Sequence, residues 1–388
     1  MGALTLIGAL LLAGGASLHA APQAVPERGP FPLSLRWSID LAGPPLQGAS
    51  PVADQERVYL AMDAGTVVSY DARDGKERWR RGLVAVQPLI VDAGIVFAAT
   101  KSTICALRAE DGSTIWEAPV AVTAPLLAHA GWLIAIAAKD VVAIRAADGS
   151  RVWHNEVGES LSQPAIDGDR LFISLTNKQV VALSVPSGAP LWEHALDGVP
   201  ESPFATNDRV YVGASDRRFY CVKQQNGEVD WTQRIGSAPV GHAAADRSHL
   251  YVVALDNVLR AYDRGNGNQR WTHPLKRRAA TGPEVLGAMV LVPSAASPEI
   301  WVWTAGGKAG AAVTLPAEPA VPPAFVDRGA DGAFIFVVTG GLANQWRLAL
   351  LAPAPDLPLV PFETIPGTAL KPEEPVDGPV SRATVSSR

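Results

Sequence analysis

Asp74-Gly75-Lys76-Glu77-Arg78-Trp79 is a tight turn followed by a tryptophan, and the chain copies it down its length. The copies are Asp111-Gly112 to Trp116, Asp148-Gly149 to Trp153, Ser187-Gly188 to Trp192, Asn226-Gly227 to Trp231 and Asn266-Gly267 to Trp271, each tryptophan four residues after its glycine. Successive tryptophans are 37, 37, 39, 39 and 40 residues apart. A near-constant step of that size marks a repeat architecture, in which each unit buries its apolar surface against the next.

One copy shows what the unit is. From Glu201 to Trp231 there is an apolar start, a turn at Asn207-Asp208, the alternating run Arg209 to Ala214, a turn at Asp216-Arg217, the run Arg218 to Val222, and then Asn226-Gly227 and Trp231. β-Branched and aromatic residues fill the runs, while Asn, Asp and Gly separate them, so the unit reads as four short strands joined by three tight turns. A repeated four-stranded unit of this length predicts an all-β fold, a β-propeller of radially arranged antiparallel blades. The glycine supplies the positive φ of a hairpin between third and fourth strands. The tryptophans Trp37, Trp79, Trp116, Trp153, Trp192, Trp231 and Trp271 are expected to dock each blade on its neighbour, since a ligand site is not built once per blade.

Two irregular copies set the blade count. Trp301-Val302-Trp303 and Gly306-Gly307 mark a weakened copy in which Ala311 stands where tryptophan is expected. The last copy, from Val321 to Leu351, supplies three strands, and the orphan strand Leu35 to Asp40 with Trp37 supplies a fourth. The reading is eight blades, with the N-terminal strand completing the last and removing the open edge; seven is the alternative if the copy near Trp301 is an insertion.

Residues 1–20 read as a secretory signal without a basic n-region, the alternative being an uncleaved membrane anchor. Gly15 stands where a lipoprotein processing site would need cysteine. Residues 21–33 form a proline-rich lead, 34–352 the propeller and 353–388 a proline-rich tail expected to be disordered. The propeller is therefore expected in the periplasm or secreted. With 48% hydrophobic residues, 18% charged and a net charge of −5, the chain does not resemble a nucleic-acid binder, and a monomer is expected. Cys105 and Cys221 fall on third strands of different blades and are expected to be inert, buried thiols.

Ala261-Tyr262-Asp263 with Gly267 and Trp271, and Ala182 with Gly188 and Trp192, resemble the repeat of the pyrroloquinoline-quinone (PQQ) family, over roughly the whole 34–352 region. The resemblance implies one of two branches: quinoprotein dehydrogenases that hold PQQ and calcium on the ring axis, or non-enzymatic BamB-like propellers of the cell envelope. Adjacent cysteines and long insertions, which the resemblance would require of the enzymes, are missing. Asp216, Asp256 and Glu299 lie in different blades and read as turn formers. The expectation is thus a scaffold for another envelope protein, without catalytic, cofactor or metal residues; the alternative is a PQQ- and calcium-binding oxidoreductase.

His129, His154, His194, His242, His249 and His273 show no metal-ligand spacing, and neither a phosphate-binding glycine loop nor Gly-x-Ser-x-Gly is present. One surface does stand out. Second-to-third turns and the connections between blades share one face of a propeller, and that face is expected to carry Lys101, Lys139, Lys178 and Arg217-Arg218 in turns. Arg80-Arg81 and Lys276-Arg277-Arg278 are expected there just after their tryptophan strands. A basic face of this kind can steer an acidic partner.

Overall fold

The computed structural model describes residues 33–160, 162–206, 208–327, 333–340 and 345–353. The expected signal, the lead up to residue 32 and the tail after Pro353 lie outside the described residues. The described fold is eight four-stranded antiparallel sheets. In blade 1 the strands, here a to d, are Val52–Ala53, Arg57–Met62, Thr66–Asp71 and Glu77–Gly82. Blades 2 to 7 repeat this order over 90–118, 127–156, 165–195, 204–234, 244–274 and 284–314. The copy near Trp301 is a full sheet and not an insertion, which decides for eight blades over seven.

Blade 8 takes strands a to c from Ala324–Asp327, Ala333–Gly340 and Trp346–Pro353, and strand d from Leu33–Leu41. The closing pair runs from Leu33↔Pro353 to Leu41↔Trp346, and Arg347 Nε donates to Asp40 Oδ1 at 2.8 Å across it. Ring closure by the N-terminal strand is therefore as the sequence predicts. Every sheet is antiparallel, so Leu33 and Pro353 both lie at the end of blade 8 where other blades make their c–d turns.

Strands b and c read as unbroken apolar runs because each sheet is covered on both faces. The run Arg209–Ala214, expected to alternate, is buried at every position after Arg209. Alternation survives only in strand d, as in Arg151–Glu156, where one side meets solvent. The core is correspondingly a set of joints, one between each pair of neighbouring blades. Phe172 and Val180 of blade 4, for example, pack on Val210, Val212 and Tyr220 of blade 5.

The repeated tryptophan builds these joints. A β-bulge just before it, as between Ala143 and Ile144 opposite Trp153, re-aims strand d locally. For six of the seven the residue paired with tryptophan is small, Ser69, Ala106, Ala143, Ala182, Cys221 or Ala261, while Trp37 pairs with Leu350. Each ring then lies on the c–d turn of the next blade. A Cβ on Gly149 would sit 2.7 Å from the Trp116 ring, and φ there is 75°. Only glycine tolerates both the close approach and the left-handed backbone. Each indole N–H also donates to a carbonyl of that next blade, from Trp37 to Ala72 at 3.1 Å through Trp116 to Ala146 at 2.9 Å and Trp271 to Ala305 at 2.9 Å. All seven tryptophans expected to dock the blades make this contact.

Candidate interaction face

The a strands of neighbouring blades touch and so ring the axis. On one face the chain crosses between blades in connections pinned at both ends. Leaving strand d, Leu196 N–H donates to Lys178 O and Ile235 N–H to Arg217 O, both carbonyls being in b–c turns. Arriving at the next blade, Glu201 N–H donates to Gly213 O and Val240 N–H to Val253 O at the end of strand b. Turns and connections thus form one hydrogen-bonded platform, as alternating strand direction requires.

The structure places the predicted basic residues unevenly on this platform. Lys101, Lys139, Lys178 and Arg217 are exposed in b–c turns, and Lys276, Arg277 and Arg278 are exposed in the connection from blade 6 to blade 7. Among the described residues none of these seven makes an ion pair. Arg80 and Arg81, expected beyond the first tryptophan strand, lie inside it in Glu77–Gly82. The pairing with strand c continues through Gly82 and carries both arginines into the blade's outer edge. There Arg80 Nη2 donates to Glu77 Oε2 at 2.7 Å and Arg81 Nη2 to Thr114 Oγ1 at 3.0 Å, so both are tied down. Arg218 is neutralised too, 3.5 Å from Asp197 and 3.9 Å from Asp216.

Lys178 and Arg217 have left-handed backbones, with φ of 73° and 64°. Their N–H groups close the same turn that Gly65 and Asn257 close in blades 1 and 6. Glycine and asparagine suit that conformation, whereas a long side chain there costs about 1 kcal/mol. The opposite face interleaves charges differently: Lys76–Asp74, Arg145–Asp148, Lys223–Glu228 and Arg270–Asp263 pair within their own c–d turns. Arg73, Arg108 and Arg247 are exposed on that face and make no ion pair among the described residues.

Sequence reasoning missed a pair at the axis. His242 Nε2 lies 3.6 Å from Glu284 Oε1, on the entries to blades 6 and 7. Two glycines allow it: a Cβ on Gly282 would fall 2.1 Å from His242 O, and one on Gly241 would fall 2.6 Å from Gly282 N. Interaction with Glu284 raises the imidazole above the ordinary histidine range. The signal was available by alignment, since Glu284 begins its strand where other blades have Val52, Ile90, Leu127, Ala165, Phe204, Ala244 and Ala324. Glu201, also on a blade entry, has no side-chain partner among the described residues, and burial pushes its carboxyl up.

A cavity of about 530 Å³ follows the a strands of blades 8, 1, 2 and 3 and reaches Gln163 and Glu284. Its wall does not fit the PQQ–calcium alternative. PQQ is a tricarboxylate, yet no cationic side chain lines the cavity. Calcium takes six or more oxygens, yet no three His, Cys, Asp or Glu converge among the described residues. Cys105 and Cys221 are buried and unpaired; burial raises the Cys105 thiol and pushes the Cys221 thiol up to about 12, so both stay protonated. Among the described residues no helix is long and apolar enough to cross a membrane.

Comparison with known proteins agrees with this architecture. BamB from Moraxella catarrhalis superposes with a TM-score of 0.67 at 17% identity, covering 83% of this chain and 98% of that one. Quinohemoprotein alcohol dehydrogenase from Comamonas testosteroni gives 0.67 at 13%, covering 82% and 76%. The computationally designed protein Ika8 gives 0.65 at 14%, covering 81% and 98%. At such identities the likeness is one of fold, and it includes an enzyme and a designed protein alike. No curated protein matches the chain in sequence. The family model described as outer membrane protein assembly factor BamB matches residues 34–157, 137–241 and 234–309, together well over half of the chain. The chain belongs to that family of PQQ-like propellers.

Proposed function

We propose that this propeller is a non-catalytic, extracytoplasmic scaffold whose connection face docks an acidic surface of another envelope protein. The observation that carries the reading is the placing of Lys178 and Arg217, unpaired, at turn positions whose left-handed backbone favours glycine or asparagine. A strained position filled by an exposed cation gives the fold nothing, and strain of this kind concentrates at working surfaces. Lys101, Lys139 and the run Lys276 to Arg278 extend the same charge around the ring. The description of the family, outer membrane protein assembly factor, supplies the setting. Leu33 enters on the opposite face, so an N-terminal tether would leave the connection face free.

The test compares two reversal sets on the immobilised protein. One is Lys178→Glu, Arg217→Glu, Arg277→Glu and Arg278→Glu on the connection face; the other is Arg73→Glu, Arg108→Glu and Arg247→Glu on the opposite face. A partner captured from envelope extract should bind about tenfold more weakly to the first set, with steep salt dependence, and unchanged to the second. Equal capture by both sets would remove the proposal. The oxidoreductase alternative predicts PQQ binding that requires calcium, which calorimetry measures directly.

A further inference from the structure

The wall of the axial cavity is chemically one-sided. Over blades 8, 1, 2 and 3 its side chains, Ser50 apart, are apolar, with Ile90, Leu127 and Phe325 among them; opposite, it presents Gln163 and Glu284. Gln163 Nε2 donates to Leu126 O at 3.0 Å, which fixes the amide orientation and leaves Oε1 without a donor among the described residues. Glu284 has one side-chain partner, the imidazole of His242 at 3.6 Å, which does not line the cavity. Its carboxylate is the only charged group among the described residues of the wall.

A partly buried carboxylate on the same wall as a free amide oxygen suits a cationic donor. The apolar wall calls for a hydrocarbon body, and about 530 Å³ suits a small molecule. We propose that the axial channel binds a small organic ammonium ion, its nitrogen held by Glu284 and Gln163 and its apolar body on the a strands of blades 1 to 3. The site is separate from the connection-face cations and does not depend on the docking role.

Three probes of matched body and different head test this by calorimetry on the whole protein: 2-phenylethylammonium, 2-phenylethanol and 3-phenylpropionate. The ammonium should saturate, with the alcohol about tenfold weaker and the carboxylate without heat of binding. Glu284→Gln should weaken the ammonium about tenfold and leave the alcohol unchanged. Ala128→Trp, which fills the cavity, should abolish both, with unfolding temperature recorded for each variant to separate loss of site from loss of fold. Equal affinity for ammonium and alcohol, indifference to Glu284→Gln, or no saturation by about 10 mM would each overturn the proposal.

Discussion

The joint between blades 2 and 3 and the joint between blades 7 and 8 solve one packing problem with different parts. In the first, Trp116 lies 5.9 Å from Phe97 of its own blade, covers Gly149 of the next and donates to Ala146 O at 2.9 Å. In the second, Leu291 takes the place of the aromatic ring, Ala311 stands exposed in the place of tryptophan, and Val302 replaces the small residue opposite. The reason lies in the closing of the ring. Strand d of blade 8 comes from the N-terminus, so blade 8 has no c–d turn and offers no glycine for a tryptophan to cover. Aliphatic packing fills the joint instead, from Leu291, Ile300 and Val313 to Ile335, Val337 and Leu351.

Blade 3 separates the essential part from the accessory one. Ile134 stands at its aromatic position, yet Trp153 still covers Gly188 and donates to Val185 O at 2.6 Å. Tryptophan and glycine are therefore the pair that comes and goes together, while the second ring adds area.

The largest break in this contrast is Trp116→Ala. It removes a buried ring and strips Ala146 O of its donor, so the urea midpoint should fall by the equivalent of about 4 kcal/mol. A loss near that of an ordinary surface change would show that the joint rests on its aliphatic residues alone.

Next in size is Gly149→Ala, which combines left-handed strain with a clash against the Trp116 ring and should cost about 2–3 kcal/mol. Its control is Gly287→Ala in blade 7, where φ is 57° and nothing lies within 4 Å of an added Cβ; strain alone should cost about 1 kcal/mol. Equal losses in thermal unfolding would mean that backbone conformation, and not the ring, selects the glycine.

Ala311→Trp should have the smallest effect, within about 0.5 kcal/mol, because the new ring finds no turn to cover. A gain of stability comparable in size to the loss from Trp116→Ala would contradict the account of the seam.

Much of this was legible in the chain before folding. The recurrence of Gly and Trp four apart set the blade, and Ala311 already marked the odd joint. The face of the cations followed from strand alternation, which is why Lys101, Lys139, Lys178, Arg217 and Lys276 to Arg278 appear where expected. Which cations are free did not follow: Arg81 meets Thr114 in the next blade, 33 residues away.

What the sequence by itself determined is the local, repeated part of the protein: strand, turn and blade. Those depend on residues within one period, where turn chemistry and tryptophan spacing are fixed by neighbours in the chain. Tertiary structure alone decided what the axis holds. His242 and Glu284 belong to different blades, and only the backbone approach of Gly241 and Gly282 brings them within 3.6 Å. Gln163 joins Glu284 on the cavity wall from three blades away, because a ring brings residues to its centre from blades that periodicity keeps apart.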